Sequence, residues 1–597
     1  MIKPIKLTPQ LTRVVSHYKR FDIEVPKALL ENKPKAPDLS GFPYPLPQKK
    51  SEYTCFCEGD GGVMWYGSNH GVTRYDKNAP MLSDKVMYFS ATRDLLDNDV
   101  KALEADGSGV WVLTESGVTH IEMVLMTMQE KAERLLSETL TYVDRHGMVS
   151  QKYLAEPLKL ESAVSYGHSD NDGGFTANLA IGEIFHYATL KRELGAYDPK
   201  TERAREAAMR LSEATLLTMF IAGRGDGFVA RSYVTKSEPV PDDGLFFKKN
   251  GATATCLNTT YARKRKLVGF EVKADAPIPQ RLRKLYADEG YEDTDITYKG
   301  DTSSDEITLH YLHMLVAHEF LGCEDPEYDA LLKEAATATM DHIIRGGYSL
   351  RDADGSQTTW ARWNPEYFKT FEGWADACLN AQQVLMYLRV TMRLTGDTEK
   401  YQPEYDKLIN MGYADLAPKH FDRFHQQCMQ LKSDDREEIM YGDHALAVTT
   451  FWPLITLEPD ENLRKKFVEG FRSWRYSLAP EFNPGYDFPY FLSDPENAKP
   501  DADRIKTWFY RFGVSRVAAK VSLDERRDIP KKLQWGAYCS TSALLTNDER
   551  FIAKYDRDPL EYKNEDSGGA HYVESCYPFS VAYWFGRYFN FIEEAND

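Results

Sequence analysis

Four short polar clusters each precede a long apolar stretch: His168-Ser169-Asp170-Asn171-Asp172-Gly173, Asp301-Thr302-Ser303-Ser304-Asp305-Glu306, Lys369-Thr370-Phe371-Glu372-Gly373-Trp374 and Tyr441-Gly442-Asp443-His444. His, Asp, Glu and Tyr side chains move protons, and Trp faces stack on sugar rings. No single cluster is specific. Gathered at one place, they would make a sugar-processing site. The clearest spacing is Glu306, His310 and His313, at i, i+4 and i+7 on one helical face. Three polar groups on an otherwise apolar helix need partners or a cavity. A metal, a buried hydrogen-bonded network and a substrate pocket all fit that stripe, although His-Glu-x-x-His is absent. Asp170 and Asp172 suit a helix cap, sugar hydroxyls or a divalent cation such as calcium, without the spacing of a twelve-residue calcium loop. No metal site is assigned, and no cofactor is required.

Two further stretches carry similar chemistry. Trp360-Ala361-Arg362-Trp363 combines stacking faces with a carboxylate anchor, or is a packed surface turn. His571 and Tyr572 lie in the dense polar-aromatic run from Gly568 to Tyr577. Arg231-Ser232-Tyr233 opens an excursion rich in Lys, Asp and Gly that lasts to Gly300. A connection that long reads as a lid or cleft wall, against the alternative of a surface insertion.

Helical hairpins must position these groups. Apolar stretches Ala177–Leu194, Ile307–Leu321, Ala375–Leu394 and His444–Leu457 each end at Gly or Pro. Each is followed by an Asp or Pro that opens a more charged helix. Further helices are expected near 123–144, 500–520 and 579–593, giving about six hairpins. The expected fold is mainly α, an (α/α)6-type toroid of helical hairpins with a small N-terminal β-region. An open solenoid is the alternative, disfavoured by the irregular insertions. Residues 1–122 are read as an extended N-terminal arm (to about residue 50) and propeller-blade-like β-hairpins, and 123–597 as the toroid. The blade reading rests on Trp65 and Trp111, and on Gly71 and Gly117, which repeat with one offset.

Composition narrows the class. The net charge of −18 argues against nucleic acid or a membrane surface as partner. Ten Trp and 36 Tyr suit sugar stacking, although a large core accounts for most of them. Eight Cys in 597 residues do not form a disulfide framework. The N-terminus lacks the apolar run of a secretory signal, so a cytoplasmic chain is expected, or a secreted one in its mature form. Nucleophile elbow, P-loop and dinucleotide fingerprint are all absent.

The motifs beginning at His168, at Asp301 and at Asp354 (Asp354-Gly-Ser-Gln-Thr-Thr-Trp360), on a toroid with a β appendage, resemble polysaccharide lyase family 27, the rhamnose–glucuronate lyases. The resemblance covers roughly 125–597. It implies β-elimination at a glucuronic acid in an oligosaccharide or polysaccharide. Arg231 or Arg362 would clamp the carboxylate, Tyr233, His310 or His444 would act as base, and Tyr441 or His168 as acid. Asp170, Asp172, Glu306, His313, Trp360, Trp363, Trp374, His571 and Tyr572 would bind substrate. Such lyases usually carry export signals, which this chain does not show. The second reading is a glycoside hydrolase, such as an unsaturated-glucuronyl hydrolase, with a carboxylate pair drawn from Asp172, Asp305, Glu306, Glu372 and Asp443. The third is a non-catalytic carbohydrate-binding toroid. Oligomeric state is not legible.

Overall fold

The computed structural model describes residues 3–19, 22–31, 37–39, 46–48, 52–166, 169–422, 441–519, 526–528, 531–534, 537–540, 545–550, 552 and 568–595. The N-terminal part is built on β1 (Ile5–Leu7), β2 (Gln10–Tyr18), β3 (Tyr53–Glu58), β4 (Met64–Ser68), β5 (Gly71–Tyr75), β6 (Val86–Phe89), β7 (Val100–Asp106), β8 (Gly109–Thr114) and β9 (Val118–Met126), and β10 (Gln151–Leu154) pairs antiparallel with β11 (Ala163–Tyr166) further along the chain. Two four-stranded antiparallel sheets, ordered β3-β4-β5-β6 and β2-β9-β8-β7, bury one core between them. The two tryptophans of the repeat are not equivalent. Trp65 is fully buried in that core, whereas Trp111 lies outside it, stacked on His120 with ring centroids 4.0 Å apart. The arm differs from the extended surface segment expected of it. Residues 10–18 pair along their whole length with β9, and β1 runs parallel to the C-terminal strand Ile592–Glu594.

Twelve helices then alternate between two layers: α1 (Met128–Glu138), α2 (Asp172–Leu194), α3 (Pro199–Leu217), α4 (Ser304–Ala317), α5 (Pro326–Arg345), α6 (Phe371–Thr395), α7 (Thr398–Asn410), α8 (Tyr441–Leu457), α9 (Glu461–Leu478), α10 (Pro484–Ser493), α11 (Ala502–Tyr510) and α12 (Tyr577–Tyr588). The even-numbered helices touch in the cyclic order α2, α4, α6, α8, α10, α12 and back to α2. That closed order makes the structure an (α/α)6 toroid, with the odd-numbered helices outside. The hairpin signals are physical caps. Asp198, Asp325, Asp397, Asp460 and Asp501 accept backbone N–H bonds at the starts of α3, α5, α7, α9 and α11. Lys131 is buried on α1 and donates to the carbonyls of Phe509, Tyr510 and Phe512 at the end of α11, at 2.9–3.2 Å. Burial lowers its pKa to about 7.

The inner helices run parallel, so their positive ends share one mouth. Five of the six carry an acid in the first turn: Asp172, Asp305 with Glu306, Glu372, Asp443 and Asp487. Among the described residues, no helix is long and apolar enough to cross a membrane.

Ring closure predicts a sensitive position. A Cβ on Gly182 of α2 would lie 2.9 Å from the backbone nitrogen of Val581 on α12. Gly182→Ala therefore costs about 1–3 kcal/mol, despite alanine's better helix propensity. A lowered midpoint in urea denaturation checks this, and an unchanged midpoint contradicts the contact.

Candidate functional site

The mouth groups converge where α2 meets α4. Gly173 and Gly174 allow the contact, because a Cβ on either would lie 3.1 Å from His310 or Leu309. Behind them an antiparallel sheet, ordered β12-β16-β13-β14-β15, is made by the excursion: β12 (Tyr233–Val234), β13 (Phe246–Lys249), β14 (Thr253–Cys256), β15 (Glu271–Lys273) and β16 (Thr297–Lys299). Its edge delivers two cations.

Arg231, just before β12, is buried and fully engaged. Its Nε donates to Glu306 Oε1 at 3.1 Å, and its Nη2 to Asn171 Oδ1 at 2.6 Å. Its Nη1 lies 2.9 Å from Asp170 Oδ1 and 3.7 Å from Asp301 Oδ2. Asn171 makes its contact from the left-handed region, φ 61°, which Asn tolerates better than most residues. Lys299 ends β16 with no exposed side-chain surface. Its Nζ meets Asp170 Oδ1 at 2.5 Å, Ser169 Oγ at 2.8 Å, Asp243 Oδ1 at 3.5 Å and Asp301 Oδ2 at 3.9 Å. Three partly exposed carboxylates, Asp170, Asp243 and Asp301, thus ring two buried cations. Asp170 and Asp301 share Lys299 and Arg231, so the two carboxylates are held around the same pair of cations.

Glu306 sits beneath them, wholly buried, and its Oε2 has no hydrogen-bond partner. Burial raises its pKa to about 7. The Arg231 charge opposes that shift, and the Asp305 and Asp170 charges add to it. Asp172 is spent on structure. It accepts from Arg145 at 2.6 Å, and from Ser150 and Ser232 at 2.5 Å each. Both carboxylates considered for calcium are therefore held by protein cations. Among the described residues, no cluster of three His, Cys, Asp or Glu side chains could hold a metal.

The other expected groups are dispersed. His310 faces the Glu306 carbonyl at 2.5 Å and Thr218 Oγ1 at 2.7 Å, and burial lowers its pKa to about 4. His313 is buried with both ring nitrogens unpartnered, its pKa lowered to about 3 chiefly by burial. Tyr233 is buried with its hydroxyl on the His146 carbonyl, and burial raises its pKa. Arg362 donates twice to the Thr359 carbonyl and lies over the Tyr367 ring. His444 is buried, edge-on to Trp474. Trp363 is buried with its Nε1 on Gln383, while Trp360 and Trp374 are about half exposed. His571 bonds the Leu154 carbonyl and stacks on Tyr153, which Tyr572 meets edge-on. His168 and the side chain of Tyr441 lie outside the described residues.

Trp374 stands away from the other clusters. Tyr387, the seventeenth residue of α6, stacks on Tyr311, the eighth of α4. The start of α6 therefore overshoots that of α4 by about 13 Å at 1.5 Å per residue. The sequence reading missed Lys299 and Asp243, and Asp301 as a separate site group. Their signal was glycine. A Cβ on Gly244 would lie 2.5 Å from Asp301 Oδ1, and one on Gly300 would lie within the Phe247 ring's contact distance.

No family model and no curated protein matches the chain. Solved structures similar to it include a GH9 protein of Bacteroides ovatus, at 11% identity, covering 91% of this chain and 95% of that one, TM-score 0.36. AaCel9A in complex with cellobiose-like isofagomine has 12% identity, 89% and 94% coverage and TM-score 0.34. The GH family 9 endoglucanase J30 has 10% identity, 98% and 99% coverage and TM-score 0.36. At these values no residue role passes to this chain. These neighbours are glycoside hydrolases and not lyases, so the resemblance to polysaccharide lyase family 27 is corrected, and with it β-elimination at glucuronic acid. The geometry agrees. Arg231 is saturated by the protein's own acids, Arg362 is turned to a carbonyl, and Tyr233, His310 and His444 are buried. A uronate would find neither its clamp nor its base among them.

Glu306 yields a pH prediction. Its folded pKa of about 7 exceeds the ordinary glutamate value of 4.5, so the folded state holds its proton more tightly. That contribution is complete below about pH 4.5 and is lost as pH rises to about 7. Between those limits, wild type should lose roughly 2–3 kcal/mol relative to Glu306→Gln. Urea denaturation of both proteins across that range measures the difference, and a pH-independent gap contradicts it.

Proposed function

We propose that the chain is a glycoside hydrolase acting on an uncharged glycan, with Asp170 and Asp301 as the working carboxylates. The observation that carries this reading is the pair of partly exposed acids above Lys299 and Arg231. Asp170 lies 2.9 Å from Arg231 and 2.5 Å from Lys299, which suits the role of the carboxylate that activates water. Asp301 is held by the Leu245 N–H at 2.8 Å through Oδ1, while its Oδ2 has no cation closer than 3.7 Å. That oxygen is the less tightly held of the pair, and we assign Asp301 the role of general acid. The exposed face of Trp360, on the strand whose Thr358 donates to the Thr302 carbonyl at 2.6 Å, offers stacking near Asp301.

Charge supports the uncharged substrate. Both cations at the site are already neutralised, so a uronate would meet carboxylates with no free partner. In this reading the toroid, residues 123–597, carries the activity, and residues 1–122 form a separate β-unit against it.

A reducing-end assay over neutral and uronic-acid oligosaccharides tests the proposal. Hydrolysis of a neutral substrate is expected, without the ultraviolet absorbance of an unsaturated uronide. Asp170→Asn and Asp301→Asn should each lower kcat about 10²–10⁴-fold at unchanged fold. Full activity in either variant removes that residue from the pair, and cleavage confined to uronides defeats the reading.

A further inference from the structure

We infer that the tip of the excursion, around residues 261–273, docks on an anionic lipid surface. This stretch is a short helix, Thr260–Arg265, a turn through Lys266 (φ 60°) and Gly269 (φ 80°), and β15, the edge strand of the sheet. Ala262 and Leu267 pack inward and fix the tip on the core. Tyr261, Val268 and Phe270 face solvent, 37%, 48% and 42% exposed. An apolar group of that kind beside charge marks a contact surface.

Its charge runs against that of the chain. Arg263, Lys264, Arg265 and Lys266 are consecutive in a protein of net charge −18, and Lys248 lies exposed on β13 of the same sheet. The two arginines are committed. Arg265 reaches Asp352 at 2.7 Å and Asp354 at 3.1 Å, and Arg263 reaches Asn258 Oδ1 at 2.9 Å and Thr260 Oγ1 at 2.7 Å. Lys264 and Lys266 make no ion pair among the described residues. Glu271 and the Asp275 partner of Lys273 lie on the β15 side, and Asp242 accepts from Thr260 at the start of the helix, so the positive charge is concentrated on Lys264 and Lys266.

The composition separates two occupants. An acidic polysaccharide is gripped by free guanidinium forks and open ring faces, and both forks here are taken. Unpaired lysines next to protruding apolar side chains suit phosphate headgroups over an acyl boundary. The inference stands apart from the hydrolase reading, although the same excursion supplies Asp243 and Lys299 to the site.

Co-sedimentation of the full chain with vesicles tests it. Binding is expected to vesicles of phosphatidylcholine rich in phosphatidylglycerol, several-fold above pure phosphatidylcholine, and to weaken at high salt. The double variants Val268→Asp/Phe270→Asp and Lys264→Glu/Lys266→Glu should each lose that binding with melting temperature and hydrolysis unchanged. Wild type that stays in the supernatant, variants that sediment like wild type, or retention on a soluble sulfated polysaccharide with none on vesicles would each overturn the inference.

Discussion

The candidate site depends on one buried guanidinium. Arg231 takes Asp170 and Asn171 from the start of α2, Asp301 from the loop before α4, and Glu306 from α4 itself. A cation removed from water is tolerable only when its hydrogen-bonding edge is filled, and its partners are equally dependent on it. The α2–α4 seam, the first polar cluster and the beginning of the excursion are therefore tied to one another. Moving any of them leaves a charge without a partner.

Close backbone approach makes that convergence feasible. Gly173 and Gly174 let α2 lie on α4, and Gly244 lets the excursion pass beside Lys299 and Asp301. The ring adds its own field. Parallel inner helices bring their positive ends together, and first-turn acids are favourable there even without chemistry. Asp172 shows the consequence, since it carries three short hydrogen bonds and caps a junction. The acids left partly exposed, Asp170, Asp243 and Asp301, are outside the helices, on loops tied down by Arg231 and Lys299.

The toroid was legible because its signals are local. Apolar period, Gly or Pro at a helix end and Asp at the next start are each read within a few residues, and the Asp caps are all formed. The strand pairing of residues 10–18 was not legible, since its partner lies more than a hundred residues away in the chain. The clusters divide for a related reason. Those at 170 and 301 meet because α2 and α4 start level. The cluster at 369–374 does not join them, because α6 has 25 residues and begins higher. Helix length, not motif content, decides which clusters share a level. Lys299 and Asp243 had no motif to announce them, and only the sheet brings them to the mouth.

The same geometry fixes what kind of charge the site can accept. A family likeness drawn from motifs counted Arg231 as available to a uronate, because sequence shows a cation and not its partners. In the folded chain that cation is internal, and so is Lys299. Their positive charge is spent on Asp170, Asp243, Asp301 and Glu306 rather than reaching a ligand. What faces a substrate is the outer side of three carboxylates, and a carboxylate substrate placed there would add a like charge without a counter-charge. A neutral sugar ring meets no such cost. Its hydroxyls can donate to those oxygens, and its apolar face can use the exposed Trp360. On the proposed hydrolase reading, the pairing of Arg231 thus favours a neutral sugar over a charged one.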